Sequence, residues 1–485
     1  MSSLKETFED LNRLECFGFS PTSSSTKPAH IANGWFRRVI GKRYDPVLLN
    51  QTVIHWTQNG EINPSEKLLA DNPSVFEPFQ QSGRLREFKE FRSDLKLLVS
   101  PAGGAVNKGN RQSSYNITCE QHLTEDYNDR SVGAFLYHLI ATELGGARSP
   151  VIDLLVDILK KPKDEVSAIT APLICNAATA DVVVGNYPAE SVFKKRGKQF
   201  QSAVLQNLRV GFDNIADFEA NYGGGLEALR RLVAFGVFSV LIYMANRRAE
   251  LAGTAEIVPQ LLYFPDRQRN TAYLASHYTY NFTRQAIESL YTERLRVWLE
   301  PRIGPKPTAK KCENFAGELD FGPASTLRQE QFLMSYQSYV SQLTSLNAMA
   351  EALRETIFRD LSGTPLDFYR GLGVKLGYLR PAGNNAVRKY YTLEGVLLEA
   401  VLASVLPRGE TTFRQFLDDI YARYGLITGG RPEDSELLMS NGIGHATVQD
   451  LRANAGEFRQ QLLSLGWARQ FADGVLVVRV PEGFQ

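Results

Sequence analysis

The segment Leu232–Ala245, LVAFGVFSVLIYMA, carries no charge over 14 residues and is bracketed by Arg230-Arg231 and Arg247-Arg248. A helix that is apolar on every side belongs in the middle of a helical domain or in a bilayer. At ~1.5 Å per residue the 14 residues reach about 21 Å, less than the ~30 Å of a hydrocarbon core. The segment is therefore read as a buried core helix with charged ends, and no membrane partner is expected. Such a helix needs other helices around it, and a chain of 485 residues has room for two to four domains of about 150 residues each.

Helical patterning surrounds it on both sides. Ser131–Leu144 offers a Ser N-cap and apolar Val132, Phe135, Leu136, Leu139 and Ile140 at helical spacing, stopped by Gly145-Gly146. The same grammar recurs in Pro150–Lys160, Gln199–Leu208, Leu226–Ala252, Asn281–Leu299 and Gln329–Asp360. Alternating strands are scarce, the best being Asp181–Val184 and Ile257–Phe264, so an α/β sheet lacks the strands it needs. The expected fold class is mainly α: a multidomain helical protein with a C-terminal winged helix-turn-helix. Residues 1–100 are read as a small helical N-terminal domain, 113–300 as a central helical domain and 326–380 as a helical subdomain. Between the last two, residues 301–325, PRIGPKPTAKKCENFAGELDFGPAS, are rich in Pro and Gly and read as an exposed linker.

The winged-helix domain is placed at residues 388–485. Helices are expected over Tyr391–Leu406, from a Thr411 or Thr412 cap to Gly425, around Glu433–Met439, and over Thr447–Leu465. WARQFADGVLVVRV follows, two β-prone runs joined by Ala472-Asp473-Gly474, and Asp-Gly marks a hairpin. Helices followed by a hairpin make the winged-helix pattern. From Tyr391 to the end there are eight Arg and no Lys against twelve acids, a balance of −4. Duplex binding is dominated by phosphate neutralisation, so this balance favours docking to protein over reading DNA. The DNA-reading alternative rests on Arg452, Arg459 and Arg479, with Arg469 nearby.

The whole chain is neutral, Lys+Arg 54 against Asp+Glu 53, so any attraction to nucleic acid must be local. Residues 27–115 hold thirteen Lys/Arg and eight Asp/Glu, with Arg37, Arg38, Lys42 and Arg43 interleaved with Trp35, Phe36, Tyr44 and Trp56. Cations among aromatics suit a nucleic-acid groove, because phosphates pair with the former and bases stack on the latter. A second cluster is Lys194, Lys195, Arg196 and Lys198, and a third spans Arg267–Arg302. DNA is accordingly one expected partner.

Catalytic signatures are absent. The sequence has no GxxxxGK[ST], HExxH or GxSxG, and the six histidines form no close pair. Glu87-Phe-Lys89 and Asp94-Leu-Lys96 mimic the carboxylate and lysine element of a metal nuclease, but fall in a segment read as helical. The expectation is no enzyme, no catalytic residue, no metal and no cofactor, with a divergent metal-dependent nuclease as the alternative. Cys16, Cys119, Cys175 and Cys312 are scattered without zinc spacing, as in reduced cytoplasmic proteins, and the charged N-terminus reads as neither signal nor anchor.

The residues LRPAGNNAVRKYYTLEGVLLEAVLASVLPRGE, FRQFLDDIYARYGL and FRQQLLSLGWARQFADGVLVVRV, between Tyr378 and Val480, carry a resemblance. This stretch resembles the C-terminal part of helical accessory proteins from multi-gene bacterial phage-defence and DNA-modification-dependent restriction systems. It covers about a fifth of the chain and contains no chemical motif. The resemblance implies a non-catalytic scaffold subunit that assembles on DNA with a protein partner such as an ATPase, helicase or nuclease.

Overall fold

The computed structural model describes residues 4–44 except 23–24, and 117–163 except 124–126 and 162. It also describes 199–481 except 201, 254–256, 266–269, 323–324, 362, 384–387, 407–408 and 444–445. Isolated positions 70, 90 and 93 and the short strands 179–181 and 195–196 complete it. The described residues are mainly helical. In chain order the helices are α1 (Leu4–Asp10), α2 (Pro28–Ile40), α3 (Val132–Ala141), α4 (Val151–Lys160) and α5 (Ala203–Tyr222). They continue as α6 (Gly225–Leu251), α7 (Thr271–Ile303), α8 (Ala309–Glu318), α9 (Ser325–Val340), α10 (Ser345–Asp360) and α11 (Pro365–Leu376). The last are α12 (Val396–Val405), α13 (Phe413–Tyr424), α14 (Asp434–Ser440) and α15 (Val448–Ser464).

The apolar segment lies in α6, at the centre of the molecule. The helix is 27 residues long, so length alone does not separate it from a membrane span; burial does, because 89% of its most apolar window lies inside the protein. It packs on α2, α3, α4, α5, α7, α11 and α12. Phe235, Phe238, Leu241, Ile242 and Tyr243 are all fully buried, each worth about 1.5–3 kcal/mol of transfer free energy. One glycine contact sets how closely this core closes. α2 and α3 cross at Gly34 and Gly133, where a Cβ on Gly133 would stand 2.4 Å from the Gly34 carbonyl carbon.

One apolar cluster runs from Leu4 in α1 to Val480 behind the last strand, and a second gathers Leu261, Tyr273, Ile427 and Leu451. α1 and the turn after it pack on α7 and α10, so the described part of residues 1–44 belongs to the central body. Within residues 301–325, Ala309–Glu318 form a helix, α8. Thr308 caps α8 by accepting the Lys311 N–H, and Cys312, Phe315 and Ala316 are buried, at the i, i+3, i+4 spacing of a helical face. Gln329–Asp360, read as one helix, is a hairpin of α9 and α10 broken at Ser341–Thr344. Ser131 is not a side-chain cap: its φ is +67°, and its own N–H donates to Asp129 Oδ1 at 2.7 Å.

Strands are short. β1 (Lys42–Tyr44) pairs with β2 (Thr179–Asp181), and β3 (Lys195–Arg196) with β4 (Gln199–Phe200). β5 (Gln260–Leu261) lies parallel to a strand from the C-terminal region, and β6 (Leu379–Arg380) pairs with β7 (Tyr390–Tyr391). The C-terminal strands are β8 (Glu410–Thr412), β9 (Leu426–Ile427, the partner of β5), β10 (Ala468–Gln470) and β11 (Leu476–Arg479). β8, β10 and β11 form an antiparallel sheet with β11 in the middle.

Candidate functional site

Two of the N-terminal cations, Arg37 and Arg38, face an acid. α2 turns Arg37 and Arg38 toward Asp129, with Arg37 Nη2 at 3.9 Å and Arg38 Nη1 at 3.5 Å from Oδ2. Arg37 is buried, and Arg38 also donates to the Gly34 carbonyl. Placing two guanidiniums inside requires a buried acid, and Asp129 supplies it. Burial, and then the charge of Arg38, pushes the pKa of His138 down. Of the other predicted contacts, Lys42 is exposed on β1, opposite Asp181. Arg43, Lys195 and Arg196 are described as backbone in β1 and β3. Lys194 and Lys198, and the nuclease-like Glu87, Lys89, Asp94 and Lys96, lie outside the described residues.

The C-terminal region carries a better defined surface. α12 packs on α5 and α6, α13 is capped by Thr412, and Gly425 ends it in the left-handed conformation at φ +74°. α15 is seated firmly on the body. Asn454 accepts the Phe264 N–H at 2.8 Å and donates to the carbonyls of Leu262 and Thr428, and Phe458 stacks on Phe264 with centroids 4.4 Å apart. At the start of α15, Asp450 accepts the Thr271 N–H at 2.9 Å, and hydrogen bonds from the Thr271 hydroxyl and N–H hold its carboxyl below the usual range.

What remains outward is the other face of α15 and the β10–β11 hairpin. Arg452, Ala453, Glu457, Gln460 and Ser464 are exposed along α15, with Arg459 half-buried. Beyond them Leu465 is 53% exposed, and Phe471 and Val475, which flank the hairpin turn, are each 43% exposed. The turn is shaped by Gly474 at φ +85° and by Asp473, whose carboxylate accepts the Val475 N–H at 3.0 Å. Arg469 lies over the Phe471 ring, 5.4 Å from its centroid.

Several acids of the C-terminal region are ion-paired, and one of them, Asp434, is buried. Glu399 pairs with Arg231, Glu394 with Arg380, Asp434 with Arg431, and Glu433 and Asp418 with Arg414. Arg431 also stacks on Tyr421 at 3.8 Å. The outer face therefore presents Arg452, Arg459, Arg469 and Arg479 against Glu410, Glu457 and Asp473, with Arg479 directly across the sheet from Glu410.

A second feature escaped the search for Cys and His spacings. Cys119-x-x-His122 forms one 3₁₀ turn that sets the thiol 3.2 Å from the imidazole Nδ1. That is the arrangement of a nucleophile and base, yet both residues are buried, so no substrate reaches them in this conformation. Among the described residues no group of three or more His, Cys, Asp or Glu side chains is placed to hold a metal ion. No protein-family model matches the chain, and no curated protein matches it in sequence.

Proposed function

We propose that the chain is a non-enzymatic scaffold subunit of a DNA-acting complex, which grips a protein partner through a C-terminal winged helix-turn-helix. The element order from α12 to β11, helix, strand, helices, then a hairpin whose second strand is central, supports the winged-helix reading. The single observation that carries the partner reading is the outer hairpin face. There Leu465, Phe471 and Val475 stand exposed beside Arg452 and Arg469, the apolar, aromatic and Arg mixture of protein interfaces. With three acids among four arginines, the face lacks the cation density of a duplex reader.

The DNA side of the proposal passes to Lys42 and to Lys195 and Arg196 of β3, since Arg37 and Arg38 face Asp129. Filter binding of duplex DNA by the complex reconstituted with the products of adjoining genes tests it. Affinity should fall steeply with salt, weaken in Lys42→Glu and remain unchanged in Arg452→Glu. Loss of binding in Arg452→Glu alone would favour the DNA-reading winged helix instead, and no affinity at low salt would remove DNA from the proposal.

A further inference from the structure

α1, the loop at Thr22, the turn at Arg130 and the α9–α10 hairpin enclose a cavity of about 450 Å³, within the size range of small-ligand pockets. Its apolar part comes from Phe8, Ile357 and Leu361, and its charged part from Lys5, Arg130 and Arg328, with Glu9 the one acid in the lining. Three cations from three separate elements thus share one apolar-floored cavity with one carboxylate. Such a site favours a ligand with an anionic head and a hydrocarbon body, since the guanidinium fork matches a carboxylate or phosphate and the floor gains from burial.

The backbone gives this cavity a second, independent mark. Arg130 and Ser131 have φ of +52° and +67°, and they are the described non-glycine residues in the left-handed region. This conformation costs side-chain-bearing residues free energy and persists only where neighbours impose it. Here Asp129 accepts the Ser131 N–H and Arg130 gives its carbonyl to the Ser20 N–H at 3.1 Å, so the turn holds Arg130 at the cavity wall. Arg328 is fixed as well, one of its N–H groups donating to the Phe321 carbonyl at 2.8 Å. We propose that this cavity binds an amphipathic organic anion, its head between Arg130 and Arg328 and its body over Phe8, Ile357 and Leu361.

Calorimetric titration of the full chain with octanoate, 1-octanol and inorganic phosphate tests the assignment. Octanoate should bind one molecule per chain, 1-octanol at least ~10-fold more weakly, and inorganic phosphate without saturation over the same range. Arg130→Gly separates binding from folding, because glycine suits the left-handed backbone. That variant should keep or raise the unfolding temperature and lose ~10-fold or more in octanoate affinity. Absence of octanoate binding, equal affinity for octanoate and 1-octanol, saturable phosphate binding of equal strength, or unchanged affinity in Arg130→Gly would each overturn the proposal.

Discussion

Replacing Glu219 by Leu probes what locks the C-terminal region to the body. Glu219 on α5 is fully buried against Arg231 on α6, whose side chain is 1% exposed. Arg231 Nε donates to Oε1 at 2.5 Å and Nη2 to Oε2 at 3.0 Å, while the Gly224 N–H donates to Oε2 at 2.9 Å. Arg231 Nη1 reaches Glu399 on α12 at 3.2 Å, so one guanidinium ties three helices together. Glu219→Leu removes the bidentate partner and leaves Arg231 with Glu399, which is one-third exposed, as its charged partner on α12. Breaking a buried pair from one side costs about 3–5 kcal/mol, because a desolvated charge remains. Removing both charges in Glu219→Leu/Arg231→Met should cost less, about 1–3 kcal/mol, chiefly from the stranded Gly224 N–H. Urea unfolding of the full chain followed by tryptophan fluorescence measures both. A single variant that loses less than about 1 kcal/mol, or a double variant no better than the single, would refute the reasoning.

Other outcomes follow from the same geometry. Gly133→Ala should destabilise by about 1–3 kcal/mol, seen as a lower Tm, because its Cβ would meet backbone at 2.4 Å. Asp450→Ala should cost about 1 kcal/mol by loss of the Thr271 cap. Since the Asp450 carboxyl is held below its ordinary value of 3.8, that contribution is present above this pH and is lost as pH falls through the folded-state pKa, so variant and wild type should converge in acid unfolding titrations. Arg37→Ala should lower thermal stability while leaving the salt dependence of DNA binding unchanged, because Arg37 faces Asp129.

The core helix and the closing hairpin were legible because each is local: an apolar run for α6, and Asp473-Gly474 between β-prone runs for β10 and β11. The helix at Ala309–Glu318 was hidden by its flanking prolines and glycines, although Cys312, Phe315 and Ala316 already marked a buried face. The pairing of Arg37 and Arg38 was not legible because their acid, Asp129, lies about ninety residues away in sequence, and no local pattern announces it. The ion pairs of the C-terminal region were hidden for the same reason. Glu394 pairs with Arg380 and Glu399 with Arg231, partners that only the tertiary structure supplies. The cavity between α1 and the α9–α10 hairpin joins residues more than three hundred positions apart and has no signature in sequence.

The outer hairpin face is the most direct point of attack. Phe471 and Val475 are each 43% exposed, so Phe471→Asp/Val475→Asp should leave the unfolding temperature unchanged. Covering the exposed part of Phe471, about 85 Å² of a ~200 Å² side chain, is worth about 2 kcal/mol, and a buried charge in its place costs more. The measurement is quantitative purification of the tagged full chain and this variant from the native host. The account predicts a stoichiometric protein partner on the wild type, lost from the equally stable variant; a partner retained by the variant, or none on the wild type, would contradict it.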